Sequence, residues 1–207
     1  MATEHFENNF QTFSMAELYL AKKYSLSQDD LVSYMFLSNA VKFDSIIFSS
    51  NEKMRHLSVR PVNAIRHLYE NETLTAWGGA GVGTVSDITA KEWISYIRVS
   101  GANGEYPSLK ACLCSAVFNF HVKFFGSNDF GFSAAKPKGS SVVEPGITPD
   151  ENIQIGPYIT IDDYLNECSI SRVWVGVHFM ALTEEGKRLC KKIGEDYFEV
   201  ANEYLKF

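Results

Sequence analysis

Apolar positions recur along this chain mostly with the 3.6-residue period of helices, and the two-residue period of strands is weak throughout. A short amphipathic helix is expected from Met15 to Tyr24. A second should begin at Asp29 and Asp30, whose carboxylates suit the positive end of a helix dipole, and run to about Lys53. Its apolar residues Leu31, Met35, Phe36, Val41, Phe43, Ile46, Ile47 and Phe48 surround most of the cylinder, the pattern of a helix buried in a bundle. Pro61 suits the first position of a third helix over residues 61–71, with Val62, Ile65, Leu68 and Tyr69 inward. Pro107 and Ser108 open a strong apolar helix, LKACLCSAVFNFHVKFF, which Gly126 closes. A short helix near Ile161–Cys168 follows. A last one starts near Thr183, with Leu189, Ile193, Tyr197, Val200 and Tyr204 as its inward stripe.

Between these helices, residues 72–106 read mostly as loop, with a short helix near Ala90–Ile97. Residues 126–158, rich in Gly, Pro and Ser, read as one long loop. The expected class is all-α: a helical bundle with long connecting loops. Residues 1–13 read as a loose arm, so the chain divides into an arm and short helix (1–27) and a bundle (28–207).

Composition narrows the function classes. The chain has 207 residues, enough for one full core. A net charge of −6 argues against general nucleic-acid binding, which needs an excess of Lys and Arg. The polar start MATEHFENNFQTF shows no signal peptide, and no apolar run reaches the ~20 residues of a membrane span. A cytoplasmic or otherwise intracellular protein is therefore expected. Its four cysteines, with no CxxC pair, are expected to be reduced and buried.

Three segments hold candidate chemistry. In EKMRHLSVRP, Lys53 and Arg60 lie seven residues apart, so both heads would point one way if the helix continued, although Pro61 breaks it. In GEYPSLKACL, Ser108 sits at a helix N-terminus, where free N–H groups and the dipole favour an anion. A simple capping role is the alternative. Lys110 is unfavourable in that first turn unless an anion is bound. In ISRVWVGVHF, Arg172 and His178 would stand roughly 120° apart on an unbroken helix, and Gly176 makes an unbroken helix doubtful. WGGAGVG contains GxGxG, but no strand is expected before it, which argues against a nucleotide fold. His56, His67 and His121 lack metal-ligand spacing. Asp44, inside the apolar second helix, calls for a buried cationic partner, with Arg172 a candidate.

Taken in order, Lys53 with Arg60-Pro61, Pro107-Ser108-Leu109-Lys110, and Ser171-Arg172 with His178 resemble the vanadium-dependent haloperoxidase and phosphatidic acid phosphatase superfamily. RPVNAIR, EYPS, FFGSNDF and SRVWVGVHF are similar to bacterial-type haloperoxidase stretches, and the likeness spans roughly residues 28–205. The resemblance implies the C-terminal bundle of such enzymes. It implies a vanadate cofactor, with phosphate able to take the same pocket. Lys53, Arg60, Ser108, Leu109, Arg172 and His178 would hold the oxyanion. His178 would bond the metal, and His178 and Lys110 would be the catalytic residues. The implied activity is oxidation of halide, or of a small organic substrate, by hydrogen peroxide. An acid phosphatase with His178 as nucleophile and a non-catalytic oxyanion binder are the other readings. The sequence departs from the family's P-S-G-H at two places. Leu109 stands for glycine and keeps the backbone N–H. Lys110 stands for histidine and brings a reference pKa of about 10.4, poorly suited to moving protons near neutrality. Relatives carry a second bundle before this one. The short length therefore suggests either a minimal form that pairs with itself as a homo-oligomer or a truncated relative.

Overall fold

The structure, a computed structural model, describes residues 11–97 and 103–205. Of the expected arm, residues 1–10 lie outside the described residues, and residues 11–13 already belong to a helix. The helices are α1 (Gln11–Lys23), α2 (Gln28–His56), α3 (Pro61–Leu68), α4 (Leu109–Phe125), α5 (Ile161–Trp174) and α6 (Met180–Leu205). Four short strands join them: β1 (Thr73–Trp77), β2 (Thr84–Thr89), β3 (Asp129–Lys136) and β4 (Ile153–Thr160).

The apolar run of α4 makes it the axis of the molecule. Ala111, Cys112, Cys114, Ala116, Val117, Phe118 and Phe120 are all buried, and α6, α2 and α5 pack around them. The α4–α6 crossing is close enough that a Cβ on Gly194 would lie 1.9 Å from the Ala116 carbonyl oxygen. Only glycine fits there. Phe13, Ala16 and Leu20 place α1 in the same core. Caps fix the ends that matter. Ser27 accepts from Asp30 N at the start of α2. Thr160 and Asp163 form a capping box on α5. Gly126, left-handed at φ 60°, ends α4 where the sequence placed the stop.

The chain is mostly helical, but strictly all-α does not hold. β1 and β2 form one antiparallel pair, and β3 and β4 another. The first pair is half exposed, which dilutes its alternation. In the second, Phe130 and Phe132 alternate inward against Ile155 and Tyr158, but Gly131, Gly156 and Pro157 read as loop residues. The expected helix near residues 90–97 is a single 3-10 turn, Ala90–Glu92. A strand does lead into WGGAGVG: Trp77 ends β1, and residues 78–83 are the loop of the β1–β2 hairpin.

Phe36 is 69% exposed, and Val32, Phe43, Ile47 and Met54 join it on the outer side of α2, so this helix is not surrounded. By length and composition the stretch from Gln28 to Leu68 would also suffice to cross a membrane; its chain breaks at Leu57, and its inner side packs on α4. Leu68 and Tyr69 of the third helix, and Val200 and Tyr204 of the last, are exposed rather than inward. Asp44 is exposed and accepts from Tyr197 Oη at 2.5 Å, not from Arg172. The buried cation of that region, Lys42, pairs instead with Glu17 of α1 at 2.5 Å. The cysteines are not reduced: Cys112 joins Cys190 and Cys114 joins Cys168, tying α4 to α6 and to α5. Separations of 78 and 54 residues gave no local signal of these bonds.

Candidate functional site

Lys53 belongs to the last turn of α2, after which Leu57 turns left-handed at φ 43°. Arg60 is the extended N-cap before Pro61. The two therefore do not share a helix face. They converge because both reach the same backbone oxygen. Lys53 Nζ donates to Gly104 O at 2.8 Å and to Glu105 O at 3.1 Å. Arg60 Nη2 donates to Gly104 O at 3.1 Å and to Asn103 Oδ1 at 2.5 Å. Gly104 fits tightly here, since a Cβ would sit 3.0 Å from Ser58 N and 3.1 Å from Leu57 Cα and would force the backbone to give by a few tenths of an ångström.

His178 arrives from the far side. α5 stops at Trp174, and Gly176, left-handed at φ 75°, turns the chain so that Val177 N and His178 N both donate to Arg172 O. A Cβ on Gly176 would press on the Trp93 ring at 3.0 Å. This tight turn, not helical spacing, brings Arg172 and His178 to one place. Arg60 Nη1 then lies 3.0 Å from His178 Nε2 and donates to Val177 O at the same distance. A guanidinium only donates, so Nε2 accepts, and the ring proton sits on Nδ1. There it faces Glu105 Oε1 at 2.7 Å. Glu105 is fully buried, and the same oxygen accepts from Phe179 N at 3.1 Å.

Electrostatics agree with this arrangement. Burial first, with Arg60 and Lys53 adding to it and Glu105 opposing, pushes His178 down to about 4, so its imidazole is neutral at ordinary pH. Burial and then Arg60 pull Lys53 down to about 8 and Arg172 to about 10; Glu105 partly offsets this at Lys53. Buried cations that depress one another's proton affinity are a favourable setting for an anion.

The N-terminus of α4 forms the next part. Ser108 is buried and caps the helix, accepting from Ala111 N at 3.4 Å. Leu109 is half-buried against the core. Lys110 is buried with Nζ 4.3 Å from the centre of the Phe13 ring. Burial, then the charge of Arg172, holds its proton affinity well below that of an ordinary lysine. An ordinary lysine is therefore the wrong guide to this amine. Among the described residues no group of three His, Cys, Asp or Glu could hold a metal ion. A metal at this site would arrive as an oxyanion held by cations, N–H groups and one imidazole, and the donor set present fits that.

Glu105 was not singled out from the sequence. Its signal was slight: an acid three residues before Ser108, in a segment that reads as loop.

The fold and site define a class: a mostly helical bundle with a buried cationic centre built around one neutral histidine. The sequence model of the VCPO second helical-bundle domain matches residues 33–206, and the chain belongs to that family. It is similar to the crystal structure of a holo-type bacterial vanadium-dependent chloroperoxidase, at 34% identity and TM-score 0.89, over 95% of this chain and 42% of that one. The apo-type structure gives 34% identity and TM-score 0.92, over 100% and 45%. A bacterial vanadium-dependent iodoperoxidase, at 17% identity and TM-score 0.64 over 91% and 38%, shares the fold. The chain thus spans less than half the length of these structures. No protein of curated function matches it.

Proposed function

We propose that this chain carries the vanadate site of a haloperoxidase and supports oxidation of halide by hydrogen peroxide. The observation that carries the reading is the meeting of Lys53, Arg60 and the unprotonated Nε2 of His178, with Arg60 3.0 Å from that nitrogen. Vanadate, when bound, supplies Lewis-acid activation of peroxide. The chain's own groups do the rest. Lys53, Arg60 and Arg172 offset the oxyanion's charge. The N-terminus of α4 at Ser108 and Leu109 offers N–H donors. His178 presents a lone pair rather than a proton. The overall reaction takes one halide ion, one peroxide and one proton to hypohalous acid and water. Two electrons leave the halide and the O–O bond breaks. That proton comes from solvent, and Lys110, with its lowered proton affinity, is the candidate to relay it. The two disulfides fit a setting where thiols are oxidised.

A second reading is favoured by the Glu105–His178 contact. A neutral imidazole with a carboxylate behind Nδ1 is also a nucleophile for phosphorus. In an acid phosphatase, Nε2 would attack, the P–O bond to the leaving group would break, a solvent proton relayed by Lys110 would reach the leaving oxygen, and water would then release phosphate from the imidazole. Halide oxidation with added vanadate and peroxide, run beside phosphate-ester hydrolysis without vanadate, separates the two. Hydrolysis alone would overturn the peroxidase reading.

A further inference from the structure

Glu105 holds both halves of the site. Its backbone carbonyl accepts from Lys53 at 3.1 Å, and its carboxylate faces His178 Nδ1 at 2.7 Å. The residue is itself fixed. Its backbone N donates to Ser58 O at 3.0 Å, Tyr106 N donates to Ser58 Oγ at 2.7 Å, and Phe179 N holds Oε1. The contact bridges 73 residues of sequence and lies out of solvent, so it is not a surface ion pair. On the opposite edge of the ring, Arg60 donates to Nε2. Two fixed groups of opposite character thus grip one imidazole.

We infer that Glu105 is a positioning residue: it fixes His178 as the Nδ1–H imidazole and aims the Nε2 lone pair into the Lys53–Arg60 cluster. Nδ1–H donates to a fixed acceptor, so neither ring rotation nor the other tautomer is free. The ligand class follows from that lone pair. A tetrahedral oxyanion whose central atom accepts a fifth donor, such as vanadate, would gain a bond from Nε2 beyond what charge provides. Sulfate, matched in shape but unable to accept that donor, gains only from the cations. Glu105 therefore governs preference for vanadate over sulfate more than the general attraction for anions. The ligand part of this inference rests on the oxyanion reading above; the tautomer part does not.

The test uses the full chain, Glu105→Gln and Glu105→Leu. Gln keeps an acceptor for Nδ1–H; Leu keeps bulk and removes it. Nitrogen-detected NMR of the His178 ring at neutral pH, without ligand, reports the tautomer. Calorimetry with vanadate and with sulfate reports the preference, and thermal melting reports folding. The wild type and Glu105→Gln should show Nδ1 protonated and Nε2 unprotonated, and Glu105→Leu, where only the Arg60 contact still favours that tautomer, should show a mixture of the two. Vanadate affinity should fall about 10–100-fold in Glu105→Leu, the usual effect of removing a partner behind a metal-binding histidine, with sulfate nearly unchanged and Glu105→Gln close to wild type. A wild-type ring protonated on Nε2 would overturn the inference. So would a Glu105→Leu protein with unchanged tautomer and preference. If Glu105→Leu fails to fold, a loss of the Nδ1–H tautomer in Glu105→Gln would also overturn it, and its retention would support it. Should the wild type bind no vanadate while Glu105→Leu scrambles the tautomer, the positioning role stands and the oxyanion reading fails.

Discussion

Arg60 makes five polar contacts, to Asn103, Gly104, Val177 and His178, so an entering oxyanion must compete for its donors. Arginine can meet an oxyanion with two parallel hydrogen bonds, whereas lysine acts as a point charge. Arg172→Ala is therefore expected to weaken vanadate binding more than Lys53→Ala. Calorimetry on both variants checks this, and equal losses would contradict it. Lys53 also sets a pH limb. Burial and Arg60 bring it to about 8, so it is charged below that pH and neutral above. Affinity should drop as pH rises through about 8, with proton uptake on binding there. Taking the difference against Lys53→Met cancels the ligand's own titration, and identical pH profiles for the two proteins would refute the assignment. Lys110 gives a third expectation. Its amine can lose the proton and so escape the cost of buried charge beside Arg172. A guanidinium cannot. Lys110→Arg should lower the melting temperature more than Lys110→Met does, and the reverse order would count against a weakly basic amine. Most of these residues were legible because the motifs name them one by one. Glu105 was not: it acts across the fold, and no local pattern distinguishes a loop acid from one buried behind a histidine.

At the scale of elements, the two disulfides join the helix capped by Ser108 to the helix that carries Arg172 and to the one that follows His178. Closing loops of 78 and 54 residues restricts the unfolded chain by about 4 kcal/mol each. Reduction under conditions that reach the core should lower the melting temperature by many degrees and weaken vanadate binding with it. A reduced protein with unchanged melting would show the bonds to be idle. The outer side of α2 behaves differently from the core. Phe36→Ala, at 69% exposure, should cost under about 0.5 kcal/mol, while Phe120→Ala in the core should cost about 3–5 kcal/mol, measured by denaturant melts. Helix ends were readable where Pro61 and Gly126 mark them, and near Asp29 and Asp30, which lie in the first turn just inside the Ser27 cap. The strands were not, because β1–β2 is half exposed and β3–β4 is interrupted by Gly131, Gly156 and Pro157. Burial of α2 was misjudged for another reason. An apolar sequence states what a helix prefers to cover, not what covers it.

For the molecule as a whole, the chain folds around a single axis, α4, and one end of that axis meets the end of α2 and the α5–α6 turn. Every cation of the site therefore sits where separate elements end, which is why residues from 53 to 178 gather there. The fold likeness covers nearly all of this chain but less than half of the chloroperoxidase structures, so whether this unit alone holds the oxyanion is the question on which the account rests. Titration of the purified chain with vanadate by calorimetry answers it directly, with His178→Ala as the paired control. The account requires one saturable site per chain, tighter than millimolar, and much weaker in the control. Absence of saturable binding, or equal binding in both proteins, would contradict it.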